Sequence, residues 1–232
     1  MQMSYRSFLT ALLLSSAARS DSFLFAPDVA VPDGLASGIA DSRTISSSLA
    51  TLTDINVTLT LLPMGDGGYN GDLYMSLLHE SGFTVLLNRV GHRSDSNFGY
   101  GDAGLNLTLD DQAGADVHTY RLTLNGNHTT PLTDLLDSPW QPDGRTEDPA
   151  TVLSTSSRTT SLGAFNGLNP NGTWTLFVAD VQSGGQLRLA KWGLEIQGTA
   201  EVPEAGVTLP ALLAAAAGLQ YARSRNTKTH RR

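Results

Sequence analysis

The chain has 232 residues, of which 40% are apolar, with 23 glycines, 10 prolines and no cysteine. That length suits one medium domain with processing segments, the glycine and proline content implies many turns, and the missing cysteine excludes disulfides as a source of stability. The formal charge is −7, and all 22 acidic residues fall from Asp21 to Glu204, where only eight basic residues stand against them; this local balance of −14 disfavours nucleic acid and anionic membrane surfaces as partners and is compatible with cations.

Residues 1–20 read as an export signal. Arg6 supplies the positive start, Phe8 to Leu14 the apolar stretch, and Ala18-Arg19-Ser20 the small residues of a cleavage site, placing cleavage near Asp21. The apolar run is too short to span a bilayer. The body, residues 21–200, then alternates with period two. "DINVTLTLL" puts Ile55, Val57, Leu59 and Leu61 on one face, with Asn56, Thr58 and Thr60 on the other. "DLYMSLL" does the same with Leu73, Met75 and Leu77, "FTVLLN" with Phe83, Val85 and Leu87, and "GLNLTLDD" with Leu105, Leu107 and Leu109. Such segments are half-buried strands, separated here by turn-rich stretches such as "PMGDGGYNGD", "ESG" and "QSGG". Short strands without long helical periods predict an all-β, antiparallel sandwich of jelly-roll type in a single domain.

Beyond these strands the pattern loosens. "DVHTYRLTLNG" reads as a further strand using Val117, Tyr120, Leu122 and Leu124, and residues 134–160 as a long polar loop. Order returns at Asn169 to Ile196. Trp174, Leu176 and Val178 share a face, the turn Ser183-Gly184-Gly185 follows, and Leu187 and Leu189 precede Trp192, Leu194 and Ile196. This predicts a closing hairpin, and the change of parity after Leu189 predicts a β-bulge near Ala190-Lys191. Residues 201–232 form a last segment: Val202-Pro203-Glu204, an apolar stretch and an arginine-rich tail.

No motif for covalent chemistry stands out. Gly99, Gly101 and Gly104 satisfy G-x-G-x-x-G, but a strand follows them where a dinucleotide site needs a helix. No G-x-S-x-G elbow occurs, and His79, His92, His118 and His128 have no triad spacing, which reads as surface or strand histidine. Acidic turns leave one opening, because calcium is bound by clustered oxygen ligands. The candidates are Asp66 and Asp72 in "DGGYNGD" and Asp110 and Asp111 in "LDDQAG", with plain Asx-turns as the competing reading.

Together "VPDGLASGI", "NGDLYMSLLHESGFTVLLNRVG", "TLDDQAG" and "LGAFNGLNPNGTWTLFVADVQSGGQLRLAKWGLEIQG" resemble the P/Homo B domain of proprotein convertases and their bacterial relatives. Gly71-Asp72-Leu73, Leu86-Leu87-Asn88-Arg89, Asp110-Asp111 and the stretch from Asn169 to Trp192 carry the resemblance. It implies a jelly-roll, galactose-binding-like sandwich that follows a subtilisin-like serine endopeptidase domain and supports its folding and calcium-dependent stability. No segment of this sequence resembles the catalytic Asp, His or Ser regions of those proteases. The C-terminal segment is similar to the PEP-CTERM sorting signal of exported bacterial proteins, with Ala205 in place of the second proline and Pro210 interrupting the apolar stretch. The expectation is an exported, non-catalytic module of the bacterial cell envelope, touching the membrane only through its C-terminal segment and binding a protein or a glycan. The second reading is a hydrolase-associated protein of proteolysis, a protease partner in trans or a cryptic serine endopeptidase.

Overall fold

The computed structural model of the chain describes residues 18–137 and 139–200. Most of the expected export signal and all of the sorting-like segment at 201–232 lie outside the described residues. The cleavage residues Ala18 to Ser20 fall within them, as the start of strand β1 (Ala18–Phe25).

The described chain is an all-β sandwich forming one domain. One sheet runs in the order β1, β10 (Gln186–Ala200), β4 (Leu49–Met64), β7 (Leu105–Leu109), β8 (Pro139–Trp140), with the short β2 (Val29–Ala30) also paired to β10. The other runs β3 (Leu35–Ile45), β9 (Gly172–Asp180), β5 (Leu73–His79), β6 (Gly82–Asn88). All strand ladders are antiparallel except that of β7 with β8. Partners such as β1 and β10 are far apart in sequence, so these pairings are non-local.

The period-two reading holds where a strand is paired on both sides. In β4, Ile55, Val57, Leu59 and Leu61 are buried, and Thr58 and Thr60 between them are half-exposed. Leu73, Met75 and Leu77 of β5 and Leu105, Leu107 and Leu109 of β7 complete the same core. Trp174 and Trp192, both fully buried, are its largest members. Each indole N–H is satisfied: Trp174 donates to Pro170 O at 2.9 Å and Trp192 to Asp41 Oδ2 on β3 at 2.6 Å.

Three expectations are corrected. In β6 the register slips against β5 between Met75 and Ser76, leaving Leu86 as an extra residue. Phe83 then pairs with exposed Leu78 and is itself 37% exposed, while Val85 is buried outside the main core cluster. The stretch after Asp116 is helical: a 3-10 turn at Val117–Thr119 leads into α1 (Tyr120–Asn125). Asp116 caps it by accepting from the His118 N–H, and Gly126, in the left-handed region, ends it by donating to Leu122 O. Val117, Tyr120 and Arg121 share one helical face and are buried, Leu122 on the opposite face is exposed, and Leu124 in the last turn is exposed too.

The third correction concerns the closing segment. The bulge at Ala190 is present, because the register against β4 passes from Leu189 to Lys191. The hairpin is not, since β9 belongs to one sheet and β10 to the other. Alternation identifies inward side chains without saying which sheet carries them. Trp174 and Trp192 therefore enter the core from opposite layers. The connection between their strands passes through Gly185, φ +136°, where a Cβ would lie 2.0 Å from Gly67 O.

Candidate functional site

The long loop after β8 is ordered by buried charge. Asp143 accepts from the Asn88 N–H at 3.1 Å, meets His118 Nδ1 at 2.8 Å and pairs with Arg145 Nη1 at 3.0 Å. Arg145 reaches on to Asp116 at 2.8 Å. Backbone bonds fasten the same loop to β6, with Gly144 N–H donating to Val85 O and Asp143 N–H to Leu86 O. A polar loop becomes a fixed wall because each of these carboxylates finds a cationic or N–H partner.

That wall stands over the outer face of the four-stranded sheet. Between them lies an open groove of about 440 Å³. Tyr74 from β5 and Phe177 from β9 sit edge to face in it, with ring centroids 6.2 Å apart. Thr146 to Ala150 form the facing side, and Arg89 and Gln182 the end. Glu147 lines the groove, and its Oε2 is buried with no hydrogen-bond partner.

A second cleft, about 350 Å³, lies beyond Gln182, between Tyr69, Asp72, Phe98, Gly99 and Ser183. Its floor is built by close backbone approach. Gly71 N–H donates to Tyr100 O, Asn70 N–H donates to Asp102 O, and a Cβ on Gly71 would lie 2.5 Å from Tyr100 N. Beneath it Arg89, in the left-handed region at φ +52°, donates from Nε to Gly71 O at 2.6 Å and from Nη2 to Asn97 O at 2.9 Å. Its contact with Asp72 is longer, 3.9 Å. Register places Asp180 opposite Leu73 on β5, next to Asp72. Asp180 is fully buried; its Oδ1 accepts from the Gln182 N–H and its Oδ2 has no partner.

Burial pushes the Asp72 carboxyl up to about 7, against the pull of Arg89 and with Asp180 and Asp33 adding to the rise. Burial likewise raises Asp180 to about 6. It lowers Arg89, a shift these two carboxylates oppose.

Of the four residues expected as calcium ligands, only Asp72 lies here. Asp66 is exposed on the turn before it. Asp110 accepts from Gln112 N–H in an Asx-turn, and Asp111 accepts from the Leu162 and Gly163 N–H groups. Among the described residues no three His, Cys, Asp or Glu side chains converge as a metal cage would need. Sequence reasoning missed Arg89 and Asp180 as partners of Asp72; the resemblance had singled out Arg89, but no local pattern ties it to Asp180.

The histidines sit deeper than the surface reading implied. His79, His92 and His118 are buried. His118 and Asp143 form the one imidazole–carboxylate pair among the described residues, yet the other nitrogen of His118 faces His92 O at 3.2 Å. A base whose second nitrogen is taken by a buried carbonyl has no position from which to activate a hydroxyl.

The sequence matches no family model and no curated protein. Solved structures that align with the fold include the complex of Aeromonas sobria serine protease with its chaperone, at TM-score 0.42, and the serine protease of Aeromonas sobria, at 0.41. Each is 16% identical, over 80% and 78% of this chain respectively. The alignments cover 28% and 27% of those chains, so this chain spans under a third of their length.

Proposed function

We propose that this chain is a non-catalytic binding module of P/Homo B type, exported to the cell envelope, that engages a protein segment along the outer face of its four-stranded sheet. The carrying observation is the groove itself. It is walled by an ordered loop, floored by the Tyr74–Phe177 pair and supplied with a buried, unpartnered acceptor at Glu147. An apolar aromatic floor with a few placed polar groups is the usual chemistry of a recognition surface. The engagement of His118 on both nitrogens supports binding over hydrolysis.

Two measurements test this. Random dodecapeptides displayed on phage should yield binders to the 232-residue chain, and Phe177→Ser should weaken them about tenfold or more, as expected for an aromatic hot spot. Recovery of no binder, or binders indifferent to Phe177→Ser and Tyr74→Ser, sinks the groove. Specific labelling of the chain by a fluorophosphonate serine-hydrolase probe would overturn the non-catalytic reading in favour of a cryptic endopeptidase.

A further inference from the structure

We propose that the cleft between Tyr69 and Phe98 is a receptor for an arginine side chain of the protein partner, held by the Asp72 carboxylate below and the two exposed rings at its sides. This rests on the reading of the chain as a protein-binding module and names what that module selects.

The charges are unbalanced in the direction the inference needs. Asp72, Asp180 and Asp33 act on one another electrostatically, and among the described residues the cation acting on them is Arg89. Arg89 spends its Nε and an Nη2 contact on the Gly71 and Asn97 carbonyls, leaving Asp72 at 3.9 Å. Asp72 is 5% exposed and lines the cleft, and its ion-pair contact among the described residues, Arg89 at 3.9 Å, is beyond hydrogen-bond reach. Behind it Asp180 Oδ2 is buried and unpartnered. A carboxylate removed from water without donors is costly unless a donor arrives. The cleft also carries an organic signal: Tyr69 is 43% exposed and Phe98 75% exposed, on separate loops flanking the same opening. Aromatic faces beside a carboxylate match the planar guanidinium, which stacks and donates in one plane. A small hard cation has no use for the rings, and among the described residues no three acidic side chains converge to cage it.

Gln182 lies on both the cleft and the sheet groove. An extended segment in the groove would therefore bring a side chain past Gln182 to Asp72. The acidic surface of the body adds steering toward basic segments.

The test uses amide NMR of the 232-residue chain titrated with Nα-acetyl-arginine amide, the neutral citrulline analogue and calcium chloride. Arginine amide should shift the amides of Gly71, Gly99, Gly101 and Ser183 and bind about tenfold tighter than citrulline amide, a factor of the size a charged pair contributes. Asp72→Asn should erase that preference while keeping a native spectrum. Phe98→Ser, at a site too exposed to affect folding, should weaken arginine amide severalfold. Equal binding of citrulline and arginine, shifts mapping elsewhere, or calcium moving these amides at lower concentration than arginine amide would each overturn the inference. The peptide selection separates the two proposals. Groove-dependent dodecapeptides without enriched arginine would sink the cleft and leave the module. An arginine response with no selected peptide would do the reverse.

Discussion

At the scale of single residues, Asp72 and Asp180 are held protonated to higher pH than in the unfolded chain, to about 7 and about 6, chiefly by burial. Between roughly pH 4, where an unfolded carboxyl titrates, and these values the folded protein binds more protons than the unfolded one. The stability they contribute is thus complete below about pH 4 and lost as pH rises through 6 to 7. Thermal unfolding at pH 5 and pH 8 should show the wild type losing stability across that interval. Asp72→Asn should reduce the loss, since the amide cannot ionise and Asp180 remains to balance Arg89. An identical pH 5 to pH 8 difference in the variant would show that the Asp72 carboxyl is not strained by its surroundings. Asp111 shows the opposite fate of an acidic side chain. Its place in an acidic turn suits a calcium ligand, yet two backbone N–H groups at the start of the Leu162–Phe165 turn donate to its oxygens. A local sequence displays a carboxylate without displaying the donors that a distant loop will bring to it.

Among the elements, the loop of residues 141–160 depends most visibly on side-chain chemistry. Asp143 is its anchor, joining Asn88, His118 and Arg145 in a fully buried position. Asp143→Ala would leave the Asn88 N–H and His118 Nδ1 without their carboxylate and Arg145 with Asp116 as its remaining acidic partner, at about 1–3 kcal/mol for each buried polar group left unsatisfied. Chemical denaturation should register that loss. Hydrogen exchange should place it, with faster exchange at Gly144, Thr159 and Thr160, whose N–H groups bond Val85 and Gly144 carbonyls, and little change along β4. Unchanged exchange at those amides would mean that backbone bonds alone hold the wall. How much of the elements was legible follows the same division. β4, β5 and β7 were plain in the sequence because a strand sandwiched between neighbours has one buried face and strict alternation. β6 was misphased because a bulge at Leu86 is decided by pairing with β5. α1 is hard to read locally, because Val117, Tyr120 and Arg121 have helical spacing while Tyr120, Leu122 and Leu124 also fit a period of two. The sheet exchange between β9 and β10 had no local trace, so a bulge was foreseeable and its partner strand was not. The groove and cleft inherit that blindness, since each joins residues separated by many tens of positions.

On the scale of the whole molecule, the sandwich is closed by strands from the two ends of the described chain. β1 pairs with β10 from Ala18 opposite Thr199 to Phe25 opposite Trp192. The two ends of β1 differ in what they cover. Ala18, Arg19 and Ser20 are exposed and contribute ladder bonds at a sheet edge, whereas Phe25 packs its ring 4.7 Å from Trp192, a fully buried member of the core. Cleavage near Asp21, as the export-signal reading expects, would remove the first three rungs and leave the contact with Trp192. A chain beginning at Asp21 should therefore keep its Tm within a few degrees, because for a domain of this size about 1 kcal/mol corresponds to roughly 2–4 °C. A chain beginning at Ala26 should fall much further. It would uncover Trp192 and open the edge of β10, losing the apolar burial of Phe23 and Phe25, about 1.5–3 kcal/mol for each aromatic side chain fully buried and less for these partly buried ones. Differential scanning calorimetry of the two truncations beside the 232-residue chain decides the matter. Equal losses in both would place the stabilising contribution of β1 in its exposed first three residues and argue against cleavage at that point.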